Sequence, residues 1–458
     1  MKTLIGAPLR PEQRHAHRAA TVVGSRHRSL ETPHAAPAAR DPPDPERVTE
    51  MALSVDSEVG QLQEVVLHRP GLELYRLTPG NVHQLLFDDV MWAERAREEH
   101  DAFAAALRER GVTVHYFVDL LAESLDVPAG RSFLLDRVFN DYTVGPGLAE
   151  PLRELADELA SPALAEMLIG GILRSDLDLP HASGMLWRTM QPGDFVLTPL
   201  PNHLFQRDNT AFAYDGLSVH PMAKQARRRE SVHSRTIWNF HPRFVSENLH
   251  FYYGNDDDNH DASTVEGGDI LVVGNGAVMV GLSERSTPQG ISNLTRGYFS
   301  DPRSLIHTVF VVELPNERAF MHLDTAMTMI DRDAFSVYPY LPDHLRSFTL
   351  TKRGSGGDFD IQENRELFPK VAEAIGVDRI RALQAPMDDM GAQREQWDDG
   401  NNFLAVAPGV VFGYERNTTT NSFLADHGIE VVGNAGSELG RGRGGPRCMT
   451  CPISRAPA

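Results

Sequence analysis

From "QLQEVVLHRPG" onward, apolar residues fall mostly in short runs punctuated by Gly, Asn, Asp and Pro, the pattern of strands joined by tight turns. Val65 to Leu67 reads as a short buried strand, Asp88 to Arg110 as a long helix closed by Gly111, and "VTVHYFV" as the next strand. One unit then recurs. "DILVVGNGAVMVGL" sets Asn275-Gly276 between two apolar runs, a strong hairpin signal. "DNTAFAYDGLSVHPM", "AFMHLDTAMTMIDRDAFSVYP" and "NNFLAVAPGVVFGYERN" repeat it with Asp215-Gly216, Asp-Arg-Asp and Pro408-Gly409 turns. With the N-terminal unit there are about five such modules, which suggests a closed ring of β-β-α units more than an open doubly wound sheet.

Two stretches break this rhythm. Residues 1–52 are rich in Ala, Pro, Arg and His and poor in large apolar residues, so they cannot bury enough surface to offset their ordering entropy and are expected to form a disordered extension. In residues 119–195, Leu148, Leu152, Leu155 and Leu159 recur at helical spacing, and Leu164, Leu168 and Ile172 do so again. That segment is expected to be an inserted helical domain, leaving 53–118 and 196–458 as the α/β domain.

The formal charge of −19 disfavours nucleic acid or an anionic membrane as partner and suits a cationic small substrate better. Only two cysteines occur, too few for a disulfide framework, and neither a signal peptide nor a long apolar span is evident; the expected location is cytoplasmic. Motif searches mostly exclude. "GNGAVMVG" lacks the third glycine of a dinucleotide fingerprint, and no P-loop or G-x-S-x-G occurs.

The cysteines sit together in "GRGRGGPRCMTCPISR", as Cys448 and Cys451. Such a pair can be a redox couple, half of a metal site, one nucleophile beside a bystander, or two inert thiols. A structural zinc lacks further ligands nearby, and Pro452 argues against a thioredoxin-type helix. Elsewhere "VEGGDI" brackets two glycines with Glu266 and Asp269, while "FMHLDTAMTMI" reads as an alternating strand with His322 and Asp324 on one face. "PNHLFQRDN" supplies Asn202 and Asp208, and Arg227, Glu230 and Arg285 follow. Each has a bland alternative in turn chemistry, a satisfied core histidine or a solvated helix face.

In order, "LLFDDVMW", "PLPNHLFQRDN", "ARRRES", "EGGD", "SERS", "MHLDT" and "GRGRGGPRCMTCPISR" resemble the arginine deiminase family of guanidino-group-modifying enzymes, over residues 54 to 455. The resemblance implies a fivefold pseudosymmetric α/β propeller with an inserted helical domain. It implies hydrolysis of L-arginine to L-citrulline and ammonia, with no metal or organic cofactor, in a protein that is often a homo-oligomer. By position, Cys448 resembles the nucleophile and His322 the general acid and base. Asp208, Glu266 and Asp324 resemble the carboxylates that hold the guanidinium, and Asn202, Arg227, Arg285 and Arg443 the contacts near the α-carboxylate or the pocket entrance. Agmatine or a methylated arginine is the alternative substrate, and a catalytically silent guanidine-binding protein the alternative class. Two departures stand out: residues 1–52 have no counterpart, and Asn209 follows Asp208 where proline is common.

Overall fold

The computed structural model describes residues 53–247, 249–254, 259–342 and 345–458, so the expected disordered extension lies outside the described residues. Among these residues, five sheets share one plan: a middle strand has an antiparallel neighbour on one side and a parallel neighbour on the other. Thr210–Ala213, Gly216–Val219 and His250–Tyr253 form one such sheet, and Ile270–Gly274, Ala277–Leu282 and Thr308–Glu313 the start of another, which Ser347–Lys352 and Phe359–Asn364 extend to five strands. Met327–Asp331, Ala334–Val337 and Arg381–Leu383 form a third; Leu404–Ala407, Val410–Tyr414 and Glu430–Asn434 a fourth. The antiparallel pairs close through two-residue turns, whereas the parallel strand arrives after a crossover helix, such as Arg228–Phe240 or Pro288–Ser300. Asn275 and Gly276 take φ of 48° and 74°, as the hairpin signal demands.

The remaining sheet is assembled from both ends of the described chain. Leu62–Leu67 pairs in parallel with Thr113–Tyr116 and antiparallel with Cys451–Arg455, so the last strand is drawn back onto the first. This pairing draws the cysteine loop back beside residues that the chain laid down at its start.

Helices Phe117–Leu125, Pro128–Val138, Ala149–Glu158 and Ser161–Gly170 occupy the expected helical stretch. Their Leu121, Leu134, Leu152, Leu164 and Leu168 are buried in the same core as Phe212, Leu217 and Ile237 of the β-rich part. Four boundaries differ from the sequence reading. The long helix begins at Ala93 because residues 86–92 are held by side chains from elsewhere, Arg318 and Glu438 among them. Phe117 starts a helix where a strand was expected to continue, and Ile172 belongs to the short strand Ile172–Leu173. His322 is not in a strand. It caps the one-turn helix Leu323–Ala326, and the strand starts only at Met327. Among the described residues, no helix is long and apolar enough to cross a membrane.

Because the helices share their core with the sheets, Leu168→Ala should destabilise the protein by about 2–5 kcal/mol within one cooperative unfolding transition. Denaturant titration followed by circular dichroism checks this. A separate early transition confined to helical signal would show that the helices melt on their own.

Candidate active site

The two cysteines serve different surroundings. Both thiols are free and buried. Cys451 opens the final strand; its Sγ lies 3.5 Å from the Thr210 carbonyl oxygen, and burial pushes its pKa to about 12. Cys448 sits in the preceding loop and lines a narrow cavity with Asn202, Asp208, Arg227, Arg285, His322 and Arg443. The Cys-X-X-Cys spacing therefore places one thiol in the core and the other in a site.

His322 faces Cys448's cavity from the cap of Leu323–Ala326. Its Nε2 lies 2.8 Å from Glu266 Oε2 and its Nδ1 3.6 Å from Asp208 Oδ1. The "EGGD" turn builds this arrangement. A side chain at Gly268 would bring its Cβ within 2.6 Å of His322 Nδ1, so only glycine lets the imidazole approach. Asp269 accepts the Leu323 N–H at 2.8 Å and hydroxyl hydrogen bonds from Ser283 and Ser286, anchoring the segment that carries the histidine.

Asp208, Glu266 and Asp324 are each held by an arginine. Arg227 bonds Asp208 Oδ2 at 2.6 Å, chelates Glu230, and donates to the Asn202 and Phe205 carbonyls. Arg285 lies 3.2 Å from Glu266 Oε2. Asp324 Oδ2, 3.7 Å from Cys448 Sγ, is bound at 2.7 Å by Arg447, which also grips Glu58 through two contacts of 3.1 Å. Asp208 Oδ1 and Asp324 Oδ1 remain buried without a hydrogen-bond donor. Asn202 Nδ2 is spent on the Leu85 carbonyl, whereas Arg443 stacks on Trp397 and keeps Nε and Nη1 unengaged. All nine sequence-derived site residues are thus buried around or beside one cavity, although Arg227 is committed to Asp208 and Glu230.

The electrostatics separate the thiol from the imidazole. Burial raises the Cys448 pKa well above the ordinary thiol value, and Asp324, Asp208 and Asp399 push the same way. Burial alone would lower His322, but Asp208, the Glu266 hydrogen bond and Asp269 outweigh it and lift His322 to about 9. Glu266 goes the other way: burial opposes its charge, yet Arg285, His322 and Arg227 hold it below the usual carboxylate range. At neutral pH the resting site is therefore a neutral thiol beside an imidazolium. Asp208, Glu266 and His322 also come close enough together to hold a metal ion, but a protonated imidazole is not a ligand, and arginines already neutralise both carboxylates.

This constellation can bind a planar cation and attack it with sulfur. A family model described as arginine deiminase matches residues 83–455. The chain belongs to the arginine deiminase family. Among solved structures it is similar to SxtG, an amidinotransferase from Microseira wollei, at 13% identity over 89% of this chain and 98% of that one, with a TM-score of 0.51. It also matches inosamine-phosphate amidinotransferase StrB1 from Streptomyces griseus at 14% identity, covering 89% and 98%, with a TM-score of 0.48. DDAH from Pseudomonas aeruginosa, as a cysteine-to-serine mutant complexed with citrulline, matches at 14% identity over 85% and 99%, with a TM-score of 0.46. For a member of this family the mixed α/β fold and guanidino-directed chemistry follow.

Sequence reasoning missed Asn402, Arg447, Glu58 and the anchoring part of Asp269. Asn402 was findable. Asp208, Glu266, Asp324 and Cys448 each stand shortly before the first strand of a hairpin or sheet, beginning at Thr210, Ile270, Met327 and Cys451, and Asn402 stands likewise before Leu404.

Two outcomes are expected. Gly268→Ala should lower turnover of a guanidino substrate about 100-fold by displacing His322, at a stability cost of about 1–3 kcal/mol; wild-type turnover would refute the packing argument. Since the folded-state pKa of His322 exceeds its unfolded value of 6.5, its contribution to stability is fully present below 6.5 and lost as pH climbs through 9. The stability difference between the wild type and His322→Gln, from denaturant titrations, should shrink across that window; growth would reverse the assignment.

Proposed function

We propose that this protein hydrolyses L-arginine to L-citrulline and ammonia through a covalent amidino intermediate on Cys448. The observation that carries the reading is the pair of buried carboxylate oxygens without a hydrogen-bond donor, Asp208 Oδ1 and Asp324 Oδ1, beside a buried thiol. Buried acceptors without donors are expensive, and a guanidinium offers five N–H groups in a fixed plane. Bound there, its central carbon is presented to sulfur.

The cation also solves the thiol's problem. Its positive charge offsets the carboxylates, so the Cys448 proton departs to solvent and the thiolate forms with substrate in place. Thiol and imidazole then titrate as a coupled pair. Sulfur attacks the guanidinium carbon, and His322, already protonated at neutral pH, gives its proton to the departing nitrogen, which leaves as ammonia. The neutral imidazole takes a proton from water, the hydroxide attacks the amidino carbon, and collapse expels the thiolate with the ureido product. Atoms balance as substrate plus water giving citrulline plus ammonia.

Arg443, a cavity-lining residue whose Nε and Nη1 make no hydrogen bond, is the natural partner for an α-carboxylate, and Arg285 Nε, 3.7 Å from Glu284 Oε1 and without a hydrogen bond, is the second. This favours arginine over agmatine, which lacks that group. The cavity is only about 20 Å³ as it stands, room for about one water, so admission of arginine requires lining side chains to move aside. We also read the five sheets as blades of a closed fivefold propeller. The hydrogen bond from the Gly267 N–H to the Asp208 carbonyl, 3.0 Å, supports a join between the sheets that begin at Thr210 and Ile270.

Purified protein given L-arginine should release citrulline and ammonia in equal amounts. Cys448→Ala should abolish this and Cys451→Ser retain most of it; equal losses would return the pair to a redox or metal role. Arg443→Ala should raise KM for arginine at least about tenfold. Activity on agmatine but not arginine would overturn the substrate.

A further inference from the structure

The groups that dominate the environment of the Cys448 sulfur, burial and three carboxylates, oppose its ionisation. One side chain works against them. Asn402 Nδ2 lies 3.1 Å from Cys448 Sγ and 3.0 Å from the Asp324 carbonyl oxygen, while its Oδ1 lies 3.1 Å from the Cys448 backbone nitrogen. The neighbours fix the orientation of this amide. A backbone N–H can only donate and a carbonyl can only accept, so Oδ1 must face Cys448 N and Nδ2 must face Asp324 O. The second amide hydrogen is thereby left for the sulfur.

We propose that Asn402 is a catalytic residue, donating a hydrogen bond to Cys448 Sγ that stabilises the thiolate both when it attacks and when it leaves the amidino intermediate. The inference rests on Cys448 being the nucleophile. A thiol can receive this bond too, but a charged acceptor receives it about twice as strongly, so the bond favours the ionised form. Its other two contacts tie the nucleophile's backbone to the backbone of Asp324, which keeps the carboxylate from closing on the sulfur.

The packing is built for this contact. Asn402 is buried, and a side chain at Gly445 would place its Cβ 2.7 Å from Asn402 Oδ1 and 2.8 Å from Asn402 Cβ. The glycine three residues before the nucleophile is what lets its loop lie against the amide. Position in the fold agrees: four of the five sheets send Asp208, Glu266, Asp324 and Cys448 to the site from just before a first strand, and Asn402 is the contribution of the fifth.

The test uses full-length protein in a Cys451→Ser background, so that iodoacetamide reads one thiol. Asn402→Asp keeps the shape and the acceptor but replaces the donor with a charge. Asn402→Ala and Asn402→Ser remove the donor without adding one, and near-UV circular dichroism confirms folding. Expected is an upward shift of the alkylation midpoint by about one pH unit or more in every folded variant, with kcat down about 10–100-fold and KM for arginine changed little. A shift in Asn402→Asp alone would assign the effect to the added charge and overturn the proposal. So would an unmoved midpoint, or a loss carried by KM, beside an inactive Cys448→Ala. Turnover surviving in Cys448→Ala would instead remove the nucleophile, and this inference with it.

Discussion

Burying Asp208, Glu266 and Asp324 around one thiol is tolerable only because each of the three meets a cation, in every case an arginine. Asp208 meets Arg227, Glu266 meets Arg285 and His322, and Asp324 shares Arg447 with Glu58. The last of these links the start, the middle and the end of the folded chain through one side chain. Burial works against the charge on Arg447, yet Glu58 and Asp324 hold its pKa above the ordinary value, and burial likewise opposes Glu58, which Arg447 and Arg207 bring down to about 2. Removing one member of such a pair strands the other in a low-dielectric interior, a loss of about 3–5 kcal/mol. The network gives little net stability. What it gives is a fixed place for every charge the chemistry needs.

The same logic explains why the final strand returns to the first. Cys451–Arg455 pairs with Leu62–Leu67, and the ladder holds the loop before it over the ends of the other sheets. Asp208, Glu266, Asp324, Asn402 and Cys448 leave their sheets from one kind of place, the approach to a first strand, so a repeated module brings together groups far apart in sequence. Loops can carry the reacting groups because the strands behind them are buried and rigid, with Ile270–Gly274 and Ala277–Leu282 covered on nearly every residue.

Much of this was legible in the residues. Hairpins at Asn275-Gly276 and Pro408-Gly409 announce themselves by turn chemistry, and helical spacing of leucines marked Ala149–Glu158 and Ser161–Gly170. "EGGD", "HLDT" and the cysteine loop pointed to Glu266, His322, Asp324 and Cys448 by resemblance. The strand drawn through His322 and Asp324 failed because alternation of apolar and polar residues does not distinguish a strand from a capped turn. Asp269 takes the Leu323 N–H, and that long-range bond converts the segment into a single helical turn. Arg447 and Glu58 were invisible for a similar reason. A buried arginine looks like a surface arginine until its partners, hundreds of residues away, are known.

Asn402 illustrates what repetition adds to motif reading. As an isolated residue in "GNNFLAV" it has no chemical signature, since asparagine before a strand is common turn chemistry. Its standing changes once the modules are aligned, because the four equivalent positions hold the thiol and three carboxylates gathered around or beside one cavity. A neutral amide there suits the charge balance better than a fifth carboxylate, which would add to the repulsion that Asp324, Asp208 and Asp399 already impose on the sulfur. A lysine or arginine would ionise the thiol without help but would repel a guanidinium brought to it. An amide donor is the remaining choice, since it favours the thiolate by direction and leaves the net charge of the pocket for the guanidinium to neutralise.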